Sequence, residues 1–87
     1  MSLNQSQLYY INKANIRKTR VIAAAISREF RQGGSCVTNR VVRNRINKEL
    51  RLKFGTGRLA DLPEKDYERV LGLIKNYRFL YCGKHYG

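Results

Sequence analysis

Cationic and amide side chains are concentrated between residues 40 and 51, and the chemistry available to them is the binding of anions. Guanidinium and ammonium groups pair with phosphate oxygens, and an asparagine amide can also pair with an adenine edge. The only acid in this stretch is Glu49. An uncompensated basic cluster favours a polyanionic partner, the alternative being a solvated face that only keeps the chain soluble. The candidate nucleic-acid-binding residues are Arg40, Arg43, Asn44, Asn47, Lys48 and Arg51.

The charge of the whole chain points the same way. Its 87 residues include 18 Lys and Arg against 6 Asp and Glu, which gives a formal net charge of +12. Thirteen of the basic residues, with only two acids, lie between Lys13 and Arg58. An excess concentrated in one part of a chain indicates a binding surface for a polyanion. Arg17, Lys18 and Arg20 form a second candidate patch for the same ligand.

Apolar spacing indicates the helices that must position these side chains. Val42, Ile46, Leu50 and Phe54 recur every fourth residue, which predicts a helix over about 39–54 with its basic residues on another side. A second amphipathic pattern predicts a helix over about 63–78 that packs against it as a hairpin. Its apolar positions are Tyr67, Val70, Leu71, Ile74 and Tyr77.

An earlier helix is predicted over about 16–31, with Asn15 as its N-cap and with Ile22, Ile26 and Phe30 on its core edge. It should stop at Gly33–Gly34, and Thr38 or Asn39 should cap the following helix. The expected fold is therefore all-α, a small bundle of three main helices. We divide the chain into an N-terminal arm (1–14), a basic helical domain (15–78) and an aromatic C-terminal tail (79–87).

The connection between the second and third helices combines a stop signal with a start signal. Gly55 should end the second helix, since glycine readily adopts the left-handed conformation found there. Asp61 and Glu64 resemble a capping box, and Pro63 fits the first turn of the third helix. The acids at this helix start could also be read as a metal site, but helix capping accounts for each of them.

Catalytic and metal-binding chemistry finds little support. Cys36, Cys82 and His85 are scattered without the paired spacing of a zinc site. No nucleophile with a neighbouring base is evident, so we predict neither an enzyme nor a cofactor. The longest apolar run, Val21–Ile26, is too short to cross a membrane. These features lead us to expect a cytoplasmic protein with no membrane partner.

The last nine residues are rich in aromatic side chains. Phe79, Tyr81 and Tyr86 could anchor a protein partner, because aromatic residues dominate binding hot spots. Their other role would be to cover the end of a small core.

Residues Val21 to Tyr77 resemble the C-terminal helical domain of phage antirepressor-type regulatory proteins. The matching features are a basic helix that closes on Phe-Gly (Asn47–Gly55), an aliphatic-Pro step (Leu59–Pro63) and a helix with an aromatic residue and an aliphatic pair (Tyr67, Val70, Leu71). The resemblance covers about two-thirds of the chain. It implies a phage or prophage origin, the host cytoplasm as location, and a regulatory role through DNA or through other proteins.

Two functions follow as expectations. The first is a small regulatory module that contacts the phosphates of nucleic acid, DNA ahead of RNA, through the middle helix. The alternative is a phage-encoded adaptor or inhibitor that binds an acidic surface of a host protein, such as a DNA-processing enzyme or a repressor. A homodimer is compatible with either, since a core this small gains from a partner.

Overall fold

Three apolar stripes meet in one core and determine which segments become helices. The computed structural model describes residues 1–29 and 39–87. Within these ranges the chain forms α1 (Gln5–Glu29), α2 (Asn39–Phe54), α3 (Tyr67–Asn76) and an antiparallel sheet of β1 (Phe79–Tyr81) and β2 (Lys84–Tyr86). The predicted bundle of three main helices is confirmed, with a small sheet in addition.

The stripes that the sequence indicates on α2 and α3 form the core together with residues of α1. Each helix turns its apolar positions inward because a three- or four-residue step returns to the same side of a helix. The residues with at most 1% of their surface exposed are Ile11, Ile22 and Ile26 of α1, Val42, Ile46 and Leu50 of α2, and Val70 and Ile74 of α3. The predicted bounds of the middle helix, 39–54, agree with α2.

The first helix begins well before the predicted residue 16. Its start is a reciprocal cap: the Asn4 N–H donates to Gln7 Oε1 at 3.0 Å, and the Gln7 N–H donates to Asn4 Oδ1 at 2.8 Å. Most of the predicted arm, residues 5–14, therefore belongs to α1. Asn15 is not an N-cap but a helix residue with 2% of its surface exposed. The predicted end of this helix, its core residue Phe30, the cap candidate Thr38 and Cys36 lie outside the described residues.

A buried polar network explains why asparagine occupies the core side of α1. Asn15 Nδ2 donates to Asn47 Oδ1 of α2 at 2.7 Å, and Thr19 Oγ1 donates to Asn15 Oδ1 at 3.2 Å. Thr19 is 3% exposed. Buried polar groups need such partners, because an unsatisfied amide in a low-dielectric interior is costly. The network joins α1 and α2 in one register.

Two short 3₁₀ turns, Leu59–Asp61 and Glu64–Asp66, connect α2 to α3. Gly55 has φ +63° and ends α2, as predicted. The third helix starts at Tyr67 and not at Pro63, because Pro63 has an extended backbone (ψ 148°). The first residues of the chain pair with this connection: the Leu3 N–H donates to Leu62 O at 2.9 Å, and the Glu64 N–H donates to Met1 O at 2.8 Å.

The aromatic tail is a β-hairpin. Cys82 (φ 51°) and Gly83 (φ 79°) form its turn, and two consecutive positive φ angles match the right-handed twist of a tight hairpin. Phe79 and Tyr86 face each other across the strands, and both are buried against the bundle. In the described part of the chain, none of the helices is both long and apolar enough to cross a membrane.

Glu29, at the end of α1, contacts two residues of the hairpin, Tyr86 and Lys84, and we call these contacts the clasp. The Tyr86 hydroxyl donates to Glu29 Oε2 at 2.6 Å, and Lys84 Nζ lies 3.0 Å from the same oxygen. The bonds from Tyr86 and Lys84 lower the pKa of Glu29, and the bond to Glu29 raises the pKa of Tyr86 to about 12. The clasp therefore favours an ionised carboxylate and a neutral phenol.

Replacing Asn15 by alanine should destabilise the chain by about 1–3 kcal/mol, because Thr19 and Asn47 lose their shared partner in the core. Urea unfolding followed by circular dichroism measures the difference. Asn44→Ala is the matched control, since Asn44 is exposed on α2, and its effect should stay within about 0.5 kcal/mol. Equal losses in the two variants would contradict the role given to the network.

The clasp also predicts how stability depends on pH. Because the pKa of Glu29 is lowered on folding, the stability from the clasp is present above the ordinary glutamate pKa of 4.5 and is lost as pH falls below it. The pKa of Tyr86 is raised from 10.0 to about 12, so the same stability is lost as pH rises through that window. The Tm difference between the wild type and Tyr86→Phe should thus be greatest near neutral pH and should shrink at both extremes. A difference that does not change with pH would count against the clasp.

Candidate nucleic-acid interface

The seam between α1 and α2 gathers most of the predicted contact residues. Two adjoining grooves of about 570 and 390 Å³ follow it, and they share Asn47; together we call them the seam groove. The upper part is lined by Ile16, Thr19, Arg20, Asn39, Arg40, Arg43, Asn44 and Asn47, and the lower part by Asn12, Asn47, Arg51, Gly57, Arg58, Leu59 and Ala60. The arrangement follows from α2, because the residues that flank its buried stripe on one side face α1.

The charge of the seam groove is entirely positive. Its lining contains five arginines and none of the acidic residues in the described ranges. All five guanidinium-bearing residues are exposed. The ion pairs found among residues 1–29 and 39–87 join Arg69 to Asp66 and Lys84 to Glu29, so they involve none of the seam arginines. A groove that is lined by cations of one sign, with low-dielectric protein around it, has a strong positive electrostatic potential. The five are Arg20, Arg40, Arg43, Arg51 and Arg58.

Two of the residues that line the groove, Asn12 and Asn47, accept hydrogen bonds through their side-chain amide oxygens. Arg43 Nη2 donates to Asn12 Oδ1 at 2.7 Å, which holds its guanidinium across the seam while other N–H donors of the fork stay available for a ligand. Asn47 accepts from the buried Asn15, so its carbonyl oxygen takes part in the packing of α1 against α2. Of the two amides offered for base contact, Asn44 is the exposed one.

Three predicted contact residues, Lys48, Arg17 and Lys18, do not line the seam groove. Lys48 is exposed on α2 but is not among the residues that line the seam groove. Arg17 lies on the α3 side of α1.

Lys18 is partly buried near α3, where its Nζ donates to Lys75 O at 2.8 Å and to Gly87 O at 3.4 Å. Burial, and then the charge of Arg78, lower the pKa of Lys18. Of the second predicted patch, only Arg20 joins the seam groove.

Arg58 and Asn12 are the seam residues that sequence reasoning missed. Arg58 follows the glycine turn, where Thr56 fixes the backbone: Thr56 Oγ1 donates to Arg58 O at 2.8 Å. The chain thereby reverses and brings Arg58 beside Arg51 in one groove. A basic residue soon after a helix-ending glycine was a usable signal. Asn12 carries none, because the sequence predicts an arm over residues 1–14.

The aromatic residues proposed as docking anchors have a different position from the one expected. Phe79 is 3% exposed and Tyr86 is 6% exposed, so both belong to the core and offer almost no surface to a partner. Tyr81 is half-buried beside them. The second role considered for the tail, covering the end of the core, describes these two residues.

Cysteine, histidine and acidic side chains are the remaining groups to which chemistry could be assigned. In the ranges that the structure describes, no three His, Cys, Asp or Glu side chains approach closely enough to hold a metal ion. Cys82 is an exposed free thiol in the hairpin turn, and His85 is exposed on β2. What the seam can do is bind an extended anion with several negative groups in a row, by charge and by the donor forks of arginine.

Comparisons with known proteins add no relative to this geometry. A scan against protein-family models and searches of curated proteins and of solved structures give no match to the chain. The resemblance to the antirepressor-type helical domain thus stays a prediction from residues Val21 to Tyr77.

Proposed function

We propose that this chain is a small regulatory module that binds nucleic acid, DNA in preference to RNA, through the phosphates of its backbone. The observation that carries the proposal is the seam groove, where two helices and a turn bring five exposed arginines together and where none of the described lining residues is acidic. The seam differs from a generally basic surface because its five arginines line two adjoining depressions that share Asn47.

The dimensions of the seam fit a phosphate backbone. From Arg40 to Arg51, α2 rises about 16 Å at about 1.5 Å per residue. Duplex DNA carries one negative charge per about 1.7 Å of its axis, so this length presents roughly ten phosphates, about half of them on the strand nearer the protein. The five seam arginines equal that half in number: Arg40, Arg43 and Arg51 lie on this length of α2, and Arg20 and Arg58 line the same depressions from α1 and from the turn after α2. Because phosphate contacts carry no sequence information, the seam by itself provides affinity and orientation.

Phage-type regulation enters the proposal through the family resemblance, and with it the cytoplasm of a host cell as location. The alternative, an adaptor that docks on an acidic host protein, would use the same arginines. Its aromatic anchor has less support, because Phe79 and Tyr86 are buried. A dimer stays compatible with either function.

Arg43→Glu combined with Arg51→Glu should abolish retention of a duplex DNA in an electrophoretic shift at 50 mM salt, because both changes place a carboxylate in the seam groove. Circular dichroism should show an unchanged helical fold, since both positions are exposed.

The matched control for the seam variant is Lys53→Glu with Lys65→Glu, two exposed residues outside the seam that change the net charge by the same amount. The control should keep most of its DNA affinity. If the two double variants lose affinity equally, net charge and not the seam is responsible.

Salt dependence gives an independent measure of the number of contacts. Five phosphate contacts predict a slope of about −4.5 for the logarithm of the binding constant against the logarithm of salt concentration, which is a loss of roughly 500-fold between 50 and 200 mM. Fluorescence anisotropy with duplex DNA, single-stranded DNA and RNA measures this slope and ranks the three ligands. A slope near zero for all three would refute phosphate binding, and tighter binding to RNA would reverse the proposed preference.

A further inference from the structure

The opposite flank of α1 forms a second groove, with α3. Two adjoining depressions of about 320 and 480 Å³ share Ala14, Arg17 and Leu71, and together they make what we call the α1/α3 groove. One end is aromatic, with Tyr10 and Tyr67, and the other is aliphatic. None of its lining residues belongs to the seam groove.

The floor of the α1/α3 groove is apolar and accessible. Val21 has 53% of its surface exposed although it is β-branched and aliphatic, and Leu71 and Ala14 are half-buried beside it. Alanine at this point leaves room for another chain to approach α1 closely. Apolar surface of this kind gains free energy when a partner removes it from water.

The rim of the groove is basic. Lys13 and Arg17 stand on the α1 side and Lys75 on the α3 side, all three exposed. Within the described residues, the lining contains no carboxylate. Lys18 also lines the groove, but its ammonium group is bonded to Lys75 O. The groove thus combines an apolar floor with a rim that attracts negative charge.

The length of the groove fits an α-helix of about three turns as its occupant. From Tyr10 to Val21, α1 rises about 16 Å, which is about three helical turns. A groove between two helices with this length accepts an amphipathic helix through anchors at i, i+3 or i+4, and i+7. Another copy of this chain is a poor occupant, because α1, α2 and α3 each contain a single acid.

We propose that the α1/α3 groove docks an acidic amphipathic helix of a partner protein, whose apolar side chains cover Val21 and Leu71 while its carboxylates face Arg17 and Lys75. Nucleic acid fits this surface less well, because the aliphatic part of the floor has no ring on which a base could stack. The groove and the seam lie on different flanks of α1, so both can be occupied at once. The proposal does not depend on the seam binding nucleic acid.

The test uses the full chain labelled with ¹⁵N and a synthetic 15-residue peptide with leucines at i, i+3, i+7 and glutamates on the flanks of that stripe. The peptide should shift the amide signals of Ala14, Val21 and Leu71. A scrambled peptide of the same composition should bind at least about tenfold more weakly, because it has the charge without the apolar face. Equal binding of the two peptides, or shifts located elsewhere, would overturn the proposal.

Variants separate this groove from the seam. Arg17→Glu combined with Lys75→Glu should weaken binding of the acidic peptide by about tenfold or more. Val21→Asp, at a site with 53% of its surface exposed, should weaken it similarly, and circular dichroism should show an unchanged helical fold. Arg43→Glu with Arg51→Glu should leave the peptide affinity unchanged, whatever it does to DNA. If only the seam variant loses peptide binding, the proposal is contradicted. It is also contradicted if a single-stranded oligonucleotide shifts the amide signals of the groove residues and the peptide does not.

Discussion

The packing of α1 against α2 is the constraint on which the rest of the structure depends. Hydrophobic burial brings the two helices together, but it is non-directional and so specifies their register less sharply than a buried hydrogen bond does. The Asn15–Asn47 hydrogen bond of 2.7 Å, with Thr19 behind it, is satisfied in one register only. In that register Arg20 of α1 lines the same depression as Arg40 and Arg43 of α2, and the adjoining depression adds Arg51 and Arg58.

The same register sets the electrostatic character of each flank. The repulsion between exposed arginines is small, because two like charges 4 Å apart in water repel each other by only about 1 kcal/mol. The described acids that form ion pairs, Glu29 and Asp66, stabilise the hairpin and the start of α3, away from the seam. The arginines of the seam are consequently not neutralised by these acids, and the ion pairs lie at the hairpin and at the start of α3.

Helix α1 therefore acts as the wall between two unlike surfaces. On the α2 side it contributes amides and Arg20 to a polar, positively charged groove. On the α3 side it contributes Ala14 and Val21 to an aliphatic one, with Lys18 holding the ends of α3 and of the chain in place. A stretch that looks like one basic patch in sequence, residues 17–20, is divided between these surfaces because successive helix residues turn by about 100°.

The sequence by itself determined α2 and most of α3, since their apolar steps match the helix period, and it identified the basic residues of α2. It could not reveal the start of α1, because Asn15 and Thr19 interrupt the apolar stripe and only a partner on α2 makes their burial favourable. The tertiary structure also decided that Lys18 packs against α3, that Arg58 joins the seam, and that Phe79 and Tyr86 are core residues. The positions of Lys18, Phe79 and Tyr86 depend on contacts between residues far apart in the chain, and no local spacing records such contacts. For Arg58, the preceding glycine turn is a local signal, but the α1 residue that shares its groove is far away in the chain.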